Sequence, residues 1–500
     1  MEKHVLIIGS GLGGLACGYI LAKNGFRVSL FEKNVQPGGC LQTFVRRGVK
    51  FETGMHYLGS MDEGQTLHRF FKYLSLLSDV EIAPLDKSAY DIISLGGRRF
   101  DFANGTERFI DSLAAHFPKE RHHLQHYCGV IRSVANDSPL YSLRHTDSVT
   151  LLNPEYIKQS ASSFIDSVTD DALLRQALAG NLPLYAGIRG KTPLYIHALI
   201  NDFYNRSSYR IVGGSDAVAH SLVKSIRAMG GAVYPSSKVV KINCDETKAV
   251  GITLESGGEV RGGYVISNIH PCRTIELLDT RLIRKPYRER IMNLRNTVSN
   301  FTVYISFRKE AMPYLNSNFF HYRDGVWGCE TYTESDWPKS FLYMHLCASR
   351  NQRYATGAVL FAYMNFDDVA QWHGTRVGHR GEGYEAFKQA KAERLLDELE
   401  RQMPGTRAKI GSYCTSTPLT YLDYTGTERG SMYGIFRDCT EPVRSIVSQR
   451  TKIPNLFQTG QNINSHGVLG VIIGAIIASG ELLGINTIID QIGKEAGCGD

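Results

Sequence analysis

The chain has 500 residues, 43% hydrophobic and 21% charged, an ordinary soluble balance that is too long for one simple core and points to two domains or one domain with an insertion. A formal net charge of +7 over that length is mild and gives no argument for nucleic acid, although it is compatible with an anionic membrane surface. The 49 glycines cluster in short groups without a repeat, which excludes collagen and suggests tight turns and close backbone approach to a ligand.

None of the 10 cysteines forms a CxxC pair or a metal-finger spacing, so reduced thiols, a cytoplasmic setting and no bound metal are expected. The short apolar run in MEKHVLIIGSG, broken by glycine, is not expected to be a signal peptide.

Val5 to Ile8 reads as a buried parallel strand. Gly9-Ser-Gly11-Leu-Gly13-Gly14 follows in the GxGxxG pattern, and Leu15, Tyr19 and Ala22 recur at helical spacing up to Asn24-Gly25. A second strand, Arg27 to Phe31, ends at Glu32, 18 positions beyond Gly14. In this β-α-β unit Gly9 permits the tight turn, Gly11 lets backbone approach a pyrophosphate, and Gly14 lets the helix pack close to the strand. The helix N-terminus offers free N–H groups to phosphates, and Glu32 can accept both ribose hydroxyls of an adenosine. This pattern alone does not separate NAD from FAD.

Gln36-Pro-Gly38-Gly39-Cys40 and Phe51-Glu-Thr-Gly54-Met55-His56-Tyr57-Leu-Gly59 come next. With Glu32, this sequence resembles the flavin-binding start of the phytoene desaturase, carotenoid isomerase and amine oxidase superfamily, and most of all its retinol saturase-like branch. The resemblance implies FAD held by Gly9, Gly11, Gly13, Gly14, Glu32, Lys33, Gly38, Gly39, Cys40, Gly54, Met55 and His56. Desaturases proper often carry Arg where this chain has Cys40, which leaves open what neutralises the pyrophosphate there.

Further along, His122-His123-x-x-His126 has helical spacing but no HExxH glutamate, and is expected to be a packed or exposed helix face without metal. Ile211-Val-Gly-Gly-Ser-Asp216 precedes a predicted helix, Ala217 to Met229, and then a hairpin-rich block from Ala232 to Asn268. That block resembles the superfamily's second flavin-binding segment, which implies that Val239 supplies backbone hydrogen bonds to the adenine; an ordinary β-meander is the alternative. Arg281 to Arg290 (RLIRKPYRER) is strongly basic, a solvated face or a lipid-surface patch. Thr415 to Gly434, with Tyr421, Tyr424 and Tyr433, resembles the segment that precedes the closing flavin motif.

In that closing motif a strand from Ile453 leads to Gly460-Gln461-Asn462, and Gly467-Val468-Leu469-Gly470 opens a small-residue helix reaching about Leu483. The resemblance places this helix N-terminus beside the flavin, with Gly460, Gln461, Asn462, Gly467, Val468 and Leu469 as contacts. Family members often have Asp near the position of Asn462. The apolar run Val468 to Ile477, interrupted by Gly470 and Gly474, is too short to predict a membrane span; a buried core helix and an anchor are its other readings.

The expected fold class is therefore α/β (α+β overall): a Rossmann-type FAD-binding domain of the amine oxidase and phytoene desaturase kind with an inserted substrate domain. The FAD-binding domain is expected to be discontinuous, over 1–70, 205–275 and 450–490, with substrate-binding regions at 71–204 and 276–449. Tyr185, Tyr195, Phe203, Tyr204, Phe301, Tyr304, Phe319, Phe320, Trp327 and Tyr343 lie in those regions, as core or as an apolar channel. The resemblance implies hydride transfer between flavin and a conjugated apolar substrate, and the retinol saturase-like details favour reduction. His56, Tyr57 and His466 are the candidate proton carriers.

No second dinucleotide fingerprint is present, so electrons would pass to or from a transiently bound NAD(P)H, a quinone, another protein or oxygen. An amine oxidase-like enzyme and a flavin-free prenyl-lipid carrier resembling Rab GDP dissociation inhibitors are the alternatives. Localisation is expected to be cytoplasmic, with peripheral membrane contact left open, and oligomeric state is not legible.

Overall fold

The structure, a computed structural model, describes residues 3–146 and 153–497. Among the described residues two sheets frame the site. The first is a five-stranded parallel sheet in the order Ala232–Tyr234, Arg27–Phe31, His4–Ile8, Tyr264–Ser267 and Leu456–Gln458. Its strands come from three distant stretches of chain. His4–Ile8 sits at the centre and is buried throughout, which is why Val5 to Ile8 within it reads as an unbroken apolar run.

Helix Leu12–Lys23 covers this sheet together with Gly467–Leu483 and Asp216–Ala228, all within one core cluster. Small residues let the helices approach: a Cβ on Gly18 would meet Ile226 Cδ1 at 3.0 Å, and the Cys17 thiol reaches the carbonyl of Ala475 at 3.6 Å. No single helix among the described residues is long and apolar enough to cross a membrane. Gly467–Leu483 and Ile485–Ala496 pass that test only as a pair bent by 119°.

The second sheet has seven strands in the order Ile410–Ser416, Ser299–Phe307, Gly357–Met364, Ser340–His345, Asn318–Tyr322, Asp91–Leu95 and Arg98–Phe102. Every pairing is antiparallel except that of Asn318–Tyr322 with Asp91–Leu95. Its four central strands are buried on both faces, so side-chain alternation decides which core each residue joins. Phe301, Val303 and Ile305 face helix Glu382–Gln402, whereas Tyr304 joins the core on the opposite face. Tyr343 and Phe319 also face Glu382–Gln402, which removes them, with Phe301, from the aromatics that could line a channel.

Two sequence boundaries shift. Tyr264–Ser267, read within a hairpin block, leaves the small antiparallel sheet of Val239–Cys244, Ala249–Leu254 and Glu259–Arg261 and inserts into the parallel sheet beside His4–Ile8. The first segment does not stop at residue 70, because helix Thr66–Tyr73 crosses that point and packs into the core of the parallel-sheet domain.

Candidate active site

A cleft runs from the ends of His4–Ile8 and Arg27–Phe31 to the seven-stranded sheet. At its first end, Gly9 has φ +91°, a conformation open to glycine at little cost. The next glycines are spaced by what sits on them. A Cβ on Gly13 would lie 2.5 Å from Asn268 Oδ1 and 3.0 Å from Gly460 Cα, and one on Gly14 would lie 2.2 Å from the Gly9 carbonyl. Gly14 thus acts by close packing under the loop and does not line the cleft. The first helical amide to find its carbonyl is that of Leu15, bonded to Gly11 O at 3.0 Å, so the amides before it have no helical acceptor.

Glu32 is buried at the rim of this cradle. Its Oε2 accepts from the Ser10 amide at 2.9 Å and the Ser10 hydroxyl at 2.5 Å, and its Oε1 accepts from the Asn34 amide at 2.8 Å. The Ser10 hydroxyl accepts in turn from the Gly38 amide at 3.1 Å, tying the paired glycines to the first loop. Oε2 is thus filled by its two donors, whereas Oε1, with one, keeps lone-pair capacity toward a hydroxyl of a diol.

Among the described residues lining the cleft there is no Lys or Arg. The cradle therefore meets an anion with amides and the N-terminal ends of Leu12–Lys23 and Gly467–Leu483. Cys40 lines the cleft as a neutral thiol, its pKa pushed up to about 11 by burial. The glycine cradle, the amides without a helical acceptor and the Glu32 carboxylate that lines the cleft fit the phosphates and ribose of a dinucleotide.

Of the residues singled out in the sequence, Gly9, Gly11, Gly13, Glu32, Gly38, Gly39, Cys40, Gly54, Met55, His56, Tyr57, Gly460, Gln461, Asn462, Gly467 and Val468 all line this one cleft. Lys33, Val239, Leu469 and His466 do not. The Lys33 ammonium is drawn to the carbonyl of Asp423 at 2.7 Å. Val239 pairs with Leu254 and turns its side chain into the core with Phe31 and Val265. Leu469 and His466 line a second, neighbouring cavity with Tyr195, Phe203 and Tyr204. Between His466 and the main cleft stands Tyr433, whose ring lies 4.5 Å from the imidazole. Burial pushes the His466 pKa down to about 4, so it is neutral at physiological pH.

The two remaining proton candidates differ in orientation. His56 lines the cleft, and its buried Nδ1 has no hydrogen-bond partner; the Glu52 carboxylate is 3.5 Å away. Tyr57 stacks on Tyr204 with ring centroids 4.3 Å apart, but its hydroxyl is turned away to Asp91.

The part of the roof that comes from the seven-stranded sheet was missed by sequence reasoning, which had singled out Tyr421 and Tyr433 but not the strand residues. Asn300, Thr302, Leu342, Met344 and Phe361 descend from the seven-stranded sheet, joined by Tyr421, Met432 and Tyr433. The alternation of Ser299–Phe307 carried the signal for Asn300 and Thr302, although it does not show which face meets the cleft. Tyr421 donates to the carbonyl of Thr53 at 3.0 Å, and Tyr433 donates to that of Pro183 at 2.9 Å. Behind the Gly460–Asn462 turn lies the buried Arg437, donating from Nη2 to the carbonyls of Asn462 and Ile463 at 2.7 Å each.

A nucleotide cradle below and an apolar roof above is the layout of a flavin-dependent oxidoreductase. The match to the family described as flavin containing amine oxidoreductase spans residues 12–483, and the chain belongs to that family. It is similar to all-trans-retinol 13,14-reductase of Homo sapiens, at 26% identity over 531 aligned positions, covering 98% of this chain and 87% of that one. It is also similar to the chloroplastic prolycopene isomerase of Daucus carota, at 20% identity over 96% of this chain and 79% of that one. Among solved structures, an oxidoreductase from Methanosarcina mazei shares the fold with a TM-score of 0.64 and 17% identity, covering 95% of this chain and 99% of that one.

Proposed function

We propose that the chain uses FAD to saturate or desaturate a carbon–carbon double bond of an apolar, conjugated, retinoid- or carotenoid-like substrate, with saturation the favoured direction. The observation that carries this reading is the lining of the cleft. Among the described lining residues Glu32 is the one carboxylate, and it is engaged at the nucleotide end. The roof offers Leu184, Leu342, Met344, Phe361 and Met432. An ammonium substrate would be desolvated there without a counter-charge, whereas a hydrocarbon chain loses nothing. Similarity to a retinol reductase and a carotenoid isomerase supports the same substrate class.

FAD, when bound, supplies the hydride-exchanging chemistry. The protein's part is to hold the double bond against Leu342, Met344 and Phe361, exclude water, and move one proton. His56 is assigned that proton because it lines the cleft while its Nδ1 makes no hydrogen bond and has the Glu52 carboxylate 3.5 Å away; Tyr57 and Tyr204 hold the adjoining wall. Transiently bound NAD(P)H is the proposed electron donor, and the cytoplasm the proposed location.

The test is the visible spectrum of the purified protein, followed by anaerobic addition of NADH, NADPH, all-trans-retinol or a primary amine. A flavin band bleached by a nicotinamide and restored by the polyene supports the reading. Bleaching by the amine alone would replace it with an amine oxidase. Absence of a flavin band after reconstitution with FAD would leave a lipid carrier.

A further inference from the structure

The most basic stretch of the sequence and the most exposed valine meet on one face. Helix Lys285–Met292 lies against the short helix Pro442–Ser445, because Arg290 donates from Nη1 to the carbonyls of Arg444 at 3.1 Å and Ile446 at 3.3 Å. Around this clamp Val443 is 87% exposed, Ile446 43% and Met292 42%. Three large apolar side chains in solvent on adjoining segments form a patch, which single exposed residues do not.

The charge surrounding them is one-sided. Between 279 and 295 the six basic residues Arg281, Arg284, Lys285, Arg288, Arg290 and Arg295 stand against Asp279 and Glu289. Between 441 and 452 Arg444, Arg450 and Lys452 stand against Glu441 alone. These two short segments carry most of the excess charge of a chain whose net charge is +7. Some of it is internally used: Arg288 donates to the carbonyls of Ile275 and Leu278, and Arg450 pairs with Glu481. Lys285 and Arg444 have only loose ion pairs, at 3.8 Å to Glu289 and 3.6 Å to Glu441. Arg281, Arg284, Arg295 and Lys452 are exposed and form no ion pair among the described residues.

We propose that this face docks on an anionic lipid bilayer, with Val443, Ile446 and Met292 entering the headgroup–acyl boundary and Arg281, Arg284, Lys285 and Arg444 meeting lipid phosphates. Exposed apolar side chains flanked by cations that are unpaired (Arg281, Arg284) or only loosely paired (Lys285, Arg444) match the layered chemistry of such a surface, apolar inside and negative outside. The face is also mechanically close to the cleft. The segment leading into helix Pro442–Ser445 includes Arg437, whose guanidinium holds the carbonyls of Asn462 and Ile463 behind the cleft wall. The proposal stands independently of the catalytic reading, which the flavin spectrum tests separately.

The experiment is flotation of the flavin-loaded protein with vesicles of phosphatidylcholine alone and of phosphatidylcholine mixed with phosphatidylglycerol. The expected result is binding to the mixed vesicles that weakens with added salt, and little binding to phosphatidylcholine. Val443→Glu, and separately the pair Arg284→Glu with Lys285→Glu, should each lower binding by about tenfold or more, with flavin absorbance and melting temperature unchanged. Equal binding to both vesicle types, no binding to either, or wild-type binding by both variants would overturn the assignment.

Discussion

The Tyr57 hydroxyl donates to the Asp91 carboxylate across 3.1 Å, and it does so on the side of the ring away from the cleft. Asp91 is fully buried and accepts a second hydrogen bond from Asn318 Nδ2 at 2.7 Å; the Arg210 guanidinium, bonded to Asn318 Oδ1 at 2.8 Å, stands behind. Burial outweighs these partners and pushes the Asp91 pKa from 3.8 up to about 7.

A pH dependence follows from that shift. An unfolded Asp gives up its proton near pH 4, whereas the folded one keeps it until about pH 7. Folding therefore favours the protonated form. The associated stability is full below pH 4 and is lost as pH rises to 7, up to ~4 kcal/mol at 1.36 kcal/mol per pH unit. Asp91→Asn should flatten that part of the curve, so that the melting temperatures of mutant and wild type diverge with rising pH. Parallel curves from pH 4 to 8 would show that Asp91 ionises in the fold without cost.

Substitution of Gly13 by Val tests the cradle. The added carbon would press on Gly460 Cα at 3.0 Å and on the Asn268 side chain, two elements that close the cleft from other strands. Flavin absorbance per mole of protein should fall to background while circular dichroism remains that of a folded chain. Full flavin content in Gly13→Val would place the phosphates elsewhere.

Glu32 has two jobs that substitutions separate. Glu32→Ala removes the acceptor for a ribose and also orphans the Ser10 and Asn34 amides, so flavin affinity should drop by ~2–3 kcal/mol. Glu32→Gln keeps one acceptor oxygen and should lose about half as much. Titration of the apoprotein with FAD measures both.

His56 and His466 are expected to differ. His56→Gln should lower turnover by about a hundredfold or more with flavin content unchanged, the scale of a lost general acid. His466→Gln should change it by only about threefold, because a buried neutral imidazole behind Tyr433 acts by packing. Equal losses would return His466 to the catalytic site.

The nucleotide end of the cleft was legible in the sequence because its constraints are local. A turn that needs φ +91° at Gly9 and a helix that allows no Cβ at Gly14 leave their marks within six residues. The surroundings of Lys33 and Val239 were not legible for the opposite reason: they depend on Asp423 and Leu254, partners that the sequence pattern does not reveal. The roof was hidden in the same way. Ser299–Phe307 alternates clearly, with Asn300, Thr302, Tyr304 and Ser306 on one face, but because both faces are buried the alternation does not reveal which of them meets the cleft.

That strand also separates two histories. Phe301, Val303 and Ile305 answer to helix Glu382–Gln402, and Asn300 and Thr302 answer to whatever occupies the cleft. Changes at the second set leave the first untouched, since neighbouring positions point into different compartments. Divergence in substrate choice can then accumulate on one side of a single ribbon while its stability is guarded on the other.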